Sequence, residues 1–351
     1  MYRTRLFVGF LLFASIFATG RRAEGPIASA RTTATGVGFQ QVMAPDIDGK
    51  AFELGIWYPS KAPGSPQPLG LFEQTVATDA PISGDRLPLI MISHGAAGSL
   101  ASHYDSALAL ARAGFIVAAV THAGDNWRDQ SLAATRRGLI NRPREISRAI
   151  DYMLLTWPGR LRIDSGRIGI FGSSLGGFTA LTAVGGAPEL RRIPQLCAER
   201  AEAPECRFIR ERHGDQLDAI PASDPDWTHV RRIKAAVIVA PAIGFTFGGG
   251  GLCRVKAPVQ LWLAEKDQEA PNEWNSDIVR KALPVPPDVH KVRGAGHFAF
   301  LAPCSEALAK AAPRICSDAP GFDRSTFHEK FNRSVVLFFR KNLTGSVAKI
   351  Q

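Results

Sequence analysis

The sequence predicts an α/β protein, with a mostly parallel eight-stranded sheet covered by helices on both faces and carrying one inserted segment. Three observations support this. Short, continuous apolar runs alternate with segments of helical periodicity, the pattern of strands buried on both faces. The 351-residue chain is 45% hydrophobic and 21% charged, which excludes a disordered or fibrous protein. No period of 20–50 residues recurs, which excludes a solenoid or propeller.

Residues 37–43 (VGFQQVM) and 51–58 (AFELGIWY) are bulky or alternating and read as two initial strands, able to pair antiparallel. Residues 59–86 are rich in Pro, Gly and Ser and read as a long surface loop. Leu87–Ile92 is a fully apolar strand ending in Ser93-His94-Gly95. A helix follows over Leu100–Ala113 and stops at Gly114. Phe115–Val120 is a second buried strand, and a helix is expected from Pro143 to Trp157. Arg167–Phe171 is a third buried strand, followed by a helix from Ser174 to Val184. Residues 186–232 interrupt the rhythm; charged, proline-containing and holding two cysteines, they read as an inserted cap. Strands resume at 235–240, 258–263 and 289–293, and a last helix runs from Ser325 to Lys341. One domain, 21–351, uses the whole chain after the first twenty residues.

The strongest chemical signal is Gly172-Ser173-Ser174-Leu175-Gly176, directly after a buried strand and opening a helix. A sharp strand-to-helix turn leaves no room for side chains two positions either side of its apex, hence glycine at both flanks. The turn lifts the Ser174 hydroxyl off the sheet edge, and the helix N-terminus aims backbone N–H groups at an anion formed there. Ser173 is not at the apex and reads as a packing residue.

With Ser93-His94-Gly95, Thr121-His122-Ala123-Gly124-Asp125-Asn126, Arg142-Pro143-Arg144-Glu145-Ile146 and Gly296-His297-Phe298, the elbow makes the chain resemble the α/β-hydrolase superfamily over residues 37–343. Within it, the chain is similar to the predicted dienelactone hydrolase group, related to plasma-type platelet-activating factor acetylhydrolases and bacterial polyesterases. True dienelactone hydrolases use a cysteine nucleophile, where this chain has Ser174.

The resemblance implies a triad in the order Ser, acid, His. A serine hydroxyl needs a base to take its proton, and His297, after the last strand in a glycine-bearing loop, is that base. His290 and His328 fall inside a strand and a helix and read as structural. No Asp or Glu lies between Asp226 and Glu265, so the acid comes later. Asp267 occupies the superfamily's usual place, with Glu265 and Glu269 as alternatives. The oxyanion hole is assigned to the backbone N–H groups of Leu175 and Ala96. His94 is then expected to brace the loop that carries Ala96. Trp127 either walls the pocket or is a buried loop aromatic. Gly248–Gly251 lacks a phosphate-loop lysine, so nucleotide binding is not expected. No cofactor is required, and no Cys/His spacing fits a metal.

The net charge is +10, but its longest basic clusters are pairs, with no stripe to hold nucleic acid, so a cationic soluble surface is the expectation. The first twenty residues resemble a signal peptide: Arg3 and Arg5, an apolar run over 6–18 too short to span a bilayer comfortably, and Ala18-Thr19-Gly20 as a cleavage site. An uncleaved anchor is the alternative, and no later segment reads as a membrane span. Cys197 with Cys206, and Cys304 with Cys316, can each close a short loop in an oxidising compartment, leaving Cys253 odd; five buried thiols are the alternative. The expectation is a secreted or periplasmic serine hydrolase acting on a small-molecule or lipid-like carboxylic ester. A catalytically silent hydrolase-fold binding protein and an amidase or peptidase are the alternatives.

Overall fold

The computed structural model describes residues 36–46, 51–213 and 226–345; the apolar N-terminal segment and residues 214–225 of the insertion lie outside them. Ten strands are present among the described residues: β1 Gly36–Pro45, β2 Ala51–Ser60, β3 Ser65–Leu69, β4 Phe72–Thr78, β5 Leu87–Ser93, β6 Ile116–Thr121, β7 Ile163–Ser173, β8 Ile233–Val239, β9 Val259–Ala264 and β10 Asp288–Val292. Their order is β10-β9-β8-β7-β5-β6-β2-β1-β4-β3. The six strands from β10 to β6 are all parallel, and β2 joins β6 antiparallel. The first two strands pair antiparallel through a full register, Gly36 opposite Ser60 to Pro45 opposite Ala51.

The strand count corrects the expectation of eight. The stretch 59–86 holds the β3–β4 hairpin, closed by Leu69 opposite Phe72 around Gly70, which has φ +61°. Pro66 and Pro68 argue against a strand in sequence. They are tolerated because β3 is the last strand of the sheet, with one side unpaired.

The central strands are built around apolar runs because helices cover both faces. In β5, Leu89 and Met91 point into one core with Ile146 and Ile150 of α2 (Arg136–Leu155) and Phe178 and Leu181 of α3 (Leu175–Ala183). Ile90 and Ile92 point into the other, with Leu110 of α1 (Tyr104–Arg112) and, from the long C-terminal helix 324–339, Phe331, Val335 and Phe339. Alternation by one residue thus divides a single strand between two cores.

α2 begins seven residues before the expected Pro143. Thr135 is its N-cap, with Oγ1 accepting from Gly138 N–H at 3.0 Å. Pro143 lies inside the helix, where its lack of an N–H leaves the Leu139 carbonyl without that donor. Proline at a first helical turn is the commoner pattern, which is why the sequence placed the start there.

Two helices of the insertion are described, α4 (Arg192–Glu199) and α5 (Pro204–His213), tied by a Cys197–Cys206 disulfide. Leu190, Ile193, Cys206 and Val230 join the same core as Phe178, and the Trp227 ring meets Phe178 edge-on at 5.8 Å. Cys304 and Cys316 form the second disulfide, and Cys253 is free and exposed. Among the described residues, no helix is long and apolar enough to cross a membrane.

Candidate active site

The parallel strands all present their C-terminal ends on one edge, and the chemistry-bearing residues follow those ends. β7 ends at Ser173, and Ser174 forms the apex of the turn into α3 with φ +55° and ψ −121°. A non-glycine residue held at positive φ costs on the order of 1–3 kcal/mol and persists only where its surroundings over-determine it. Here Ser174 N–H donates to the Val239 carbonyl at 2.8 Å, and the Ser174 carbonyl accepts from Gly177 at 2.8 Å and Ala242 at 3.1 Å. The flanking glycines are steric necessities. A Cβ at Gly172 would lie 2.1 Å from the Gly176 carbonyl oxygen, and one at Gly176 1.9 Å from that of Ser93.

Asp267 follows β9, and His297 opens a single 3-10 turn, His297–Phe300, after β10. His297 Nδ1 lies 3.0 and 2.9 Å from the two Asp267 carboxylate oxygens. Asp267 Oδ1 also accepts the N–H groups of Glu269 at 3.1 Å and Ala270 at 2.7 Å, so the carboxylate is fixed before it meets the ring. Burial disfavours the charged imidazole, but Asp267, aided by Glu269 and Glu205, outweighs it and leaves the His297 pKa above its ordinary value. The alternative acids point elsewhere: Glu265 accepts from Gly294 N–H at 2.8 Å, and Glu269 pairs with Arg314. Among the described residues, no hydrogen bond joins Ser174 Oγ to His297 Nε2, so the structure pairs Asp267 with His297 but does not bond Ser174 to the ring. Serine–histidine contacts of this type commonly tighten only when substrate is bound.

The N–H groups of Leu175 and Ala96 have no hydrogen-bond partner among the described residues. The loop carrying Ala96 runs against Ser174: a Cβ on Gly95 would lie 3.1 Å from Ser174 Cβ and 3.6 Å from its Oγ.

His94 is 1% exposed and braces this loop. Its Nδ1–H donates to the Gly95 carbonyl at 2.6 Å, and its Nε2 accepts His122 N–H at 3.0 Å. Burial, then the nearby Arg142 charge, pushes its pKa down to about 3, so the ring is neutral and both nitrogens are committed. Behind it lies a second Ser–His–acid array that sequence reasoning missed. His122 Nε2 is 2.8 Å from Ser93 Oγ, and its Nδ1 is 2.6 Å from Glu145 Oε2. Ser93 and His122 are 0% and Glu145 1% exposed, so no substrate reaches them. The array is part of the packing beneath the site. Burial also drives the His122 pKa well down and that of Glu145 up, as expected for charges taken from water.

A third residue that the sequence did not single out is Glu205, from the first turn of α5. It is 6% exposed and accepts Asn275 Nδ2 at 2.7 Å and Trp274 Nε1 at 3.2 Å. Asn275 Oδ1 in turn accepts Gly244 N–H at 2.7 Å, in the loop after β8. A glutamate in a charged insertion gives no signal of burial in the sequence; only the docking of α5 does that. Trp127 is 59% exposed, with Arg128 over its ring at 5.0 Å, so it is not a buried loop aromatic. Its N–H donates to the Gly98 carbonyl at 3.1 Å, beside the Ala96 loop. His328 and His290 have structural partners: His328 bonds Asp105 at 2.6 Å and the Ala299 carbonyl at 2.9 Å, while His290 stacks on Trp262 at 4.2 Å. No group of three His, Cys, Asp or Glu residues among those described is arranged to hold a metal.

The family described as platelet-activating factor acetylhydrolase, isoform II, matches residues 69–146, a span holding His94, Ala96, Asp125 and Arg142 but ending before Ser174. No curated protein matches the chain. Among solved structures, a ferulic acid esterase from Streptomyces cinnamoneus superposes with a TM-score of 0.58 at 18% sequence identity, covering 93% of this chain and 96% of that one. With the parallel sheet, the strand-to-helix elbow and this superposition together, the chain has the α/β-hydrolase fold.

Proposed function

We propose that this chain is a secreted or periplasmic serine hydrolase that cleaves carboxylic esters through an acyl-enzyme. The observation that carries the reading is the strained Ser174 apex, next to the Leu175 and Ala96 N–H groups that have no partner among the described residues, on the same sheet edge as a buried Asp267–His297 pair. Ser174 Oγ attacks the ester carbonyl carbon as its proton passes to His297 Nε2. Asp267 holds Nδ1–H and stabilises the imidazolium. Leu175 and Ala96 N–H receive the oxyanion, in a position that matters only once charge develops. Collapse expels the alcohol, which takes the proton from His297, and water then releases the acid by the same steps reversed. The route calls for no metal or cofactor. The acetylhydrolase family and the esterase neighbour support a small-molecule or lipid-like ester as substrate. Export is supported by the apolar run over 6–18 and the two disulfides. Residues 186–232 act as a cap whose Glu205 anchors it beside the acid loop.

The test is hydrolysis of short p-nitrophenyl esters by wild type and Ser174→Ala, with anilides of the same acids as the amidase comparison. Equal rates in the two proteins would sink the proposal. The open Ser174–His297 contact also suits a silent binding protein, and a fluorophosphonate probe separates the two. A working site labels at Ser174 and not at Ser93, as read by peptide mass spectrometry; no label at all favours the binding protein.

A further inference from the structure

The turn that carries Ala96 is held in a conformation it would not keep alone. Gly98 N–H closes it onto the Gly95 carbonyl at 3.3 Å, and Ala97, its third residue, has φ +55°. Alanine at positive φ is unfavourable, and a flip of the Ala96–Ala97 peptide would relieve it. Three contacts from the loop after β6 oppose that flip. His122 N–H bonds the His94 ring at 3.0 Å, Asp125 Oδ1 accepts Ala97 N–H at 3.0 Å, and Trp127 N–H bonds the Gly98 carbonyl at 3.1 Å. Only the Asp125 contact fixes the strained peptide itself. A flipped peptide would turn the Ala96 carbonyl oxygen toward the carboxylate, which repels it.

Asp125 is itself held. Its Oδ2 accepts Arg142 Nη1 at 2.6 Å, and both residues are 1% exposed. Arg142 sits in α2 and spends its remaining donors on the two elements that frame the oxyanion. Nη2 bonds the His94 carbonyl, and Nε bonds Thr179 Oγ1 of α3 at 3.0 Å. One guanidinium therefore joins the Ala96 turn, the helix that presents Leu175 and the carboxylate that pins Ala97.

We propose that Asp125, oriented by Arg142, is a positioning residue for the oxyanion hole: by pinning Ala97 N–H it fixes the conformation of the Gly95–Gly98 turn, and with it the preceding Gly95–Ala96 peptide, whose N–H is then already aimed when charge develops on the substrate. The inference rests on the serine-hydrolase reading. The oxyanion forms only in the transition state, so loss of the lock lowers kcat and leaves KM nearly unchanged.

The test compares wild type, Asp125→Ala, Ala97→Gly and the double variant on a p-nitrophenyl ester, with Ser174→Ala alongside. Asp125→Ala is expected to lose about 10- to 100-fold in kcat, less than removal of an oxyanion donor outright, with KM within about twofold. Glycine takes positive φ without support, so Ala97→Gly in the Asp125→Ala background is expected to recover at least about threefold. A merely structural buried carboxylate would show no such rescue. Wild-type kcat in Asp125→Ala, or no recovery in the double variant, overturns the proposal. Should the alanine variant fail to fold, the apolar pair Asp125→Leu with Arg142→Met, which leaves no buried charge behind and no acceptor for Ala97 N–H, carries the same test, and unchanged kcat there overturns it. Full activity in Ser174→Ala overturns the underlying reading instead, and this inference with it.

Discussion

Replacing Gly176 by alanine tests how closely the elbow and the oxyanion loop are fitted together. The new Cβ would lie 1.9 Å from the Ser93 carbonyl oxygen, 2.6 Å from its carbon and 2.8 Å from the His94 carbonyl oxygen. Ordinary contact begins near 3.4 Å, so the gap must open by about 1.5 Å. All three obstacles are backbone and none yields easily. Ser93 is paired on both sides, with Val120 of β6 and Gly172 of β7, and the His94 carbonyl is held by Arg142. The strain therefore parts the N-terminus of α3 from the loop after β5, moving the Leu175 and Ala96 N–H groups away from each other. A misplacement of about 1 Å costs roughly 10² in rate, so kcat/KM for a p-nitrophenyl ester is expected to fall about 10²- to 10³-fold. Overpacking adds about 1–3 kcal/mol of destabilisation, which for a chain of this length lowers Tm by roughly 1–4 °C. Initial rates on the folded variant and a thermal melt check both numbers. A kcat/KM within threefold of wild type would show that α3 and the loop can separate without consequence, and would refute the argument that their contact sets the site.

Other outcomes follow from the same geometry. On the proposed mechanism His297 works as a base only when neutral, and its pKa is raised, so the acid limb of kcat/KM should lie above pH 6.5. Asp267→Asn removes the charge that offsets burial, so the limb should move below pH 6.5 while kcat falls about 10³- to 10⁴-fold; a pH–rate profile with an unmoved limb contradicts this. Arg142→Met leaves Asp125 buried without its cation and is expected to cost about 3–5 kcal/mol in urea denaturation. A loss below about 1 kcal/mol would show that the pair contributes little. Titration of the unreduced protein with a thiol reagent should count one thiol per chain, Cys253, and five after reduction in denaturant; more than one before reduction means that a disulfide is absent.

Much of the fold was legible because burial on both faces writes itself into composition. β5, β6 and β8 are largely apolar, and their places match the predicted runs to within two residues. The β3–β4 hairpin was not legible, because its prolines are tolerated only at the end of a sheet, and the position of a strand in a sheet is not a local property. The start of α2 was misplaced for a related reason. Pro143 is a strong local signal, overridden by a Thr135 cap and by packing of Ile146 and Ile150 against the sheet.

The same division runs through the site. Sequence alone determined the elbow, since a strand, two flanking glycines and a helix leave one residue at the apex. It also pointed to a histidine and a carboxylate after later strands, because a parallel sheet sends all such ends to one edge. The choice of Asp267 over Glu265 and Glu269 belonged to tertiary structure, since three carboxylates within five residues differ only in where their side chains point. So did the sealed Ser93–His122–Glu145 array, the Asp125–Arg142 clamp and the buried Glu205. Each pairs residues 17 to 70 positions apart, whose proximity depends on how α2, α5 and the loops dock rather than on any local pattern.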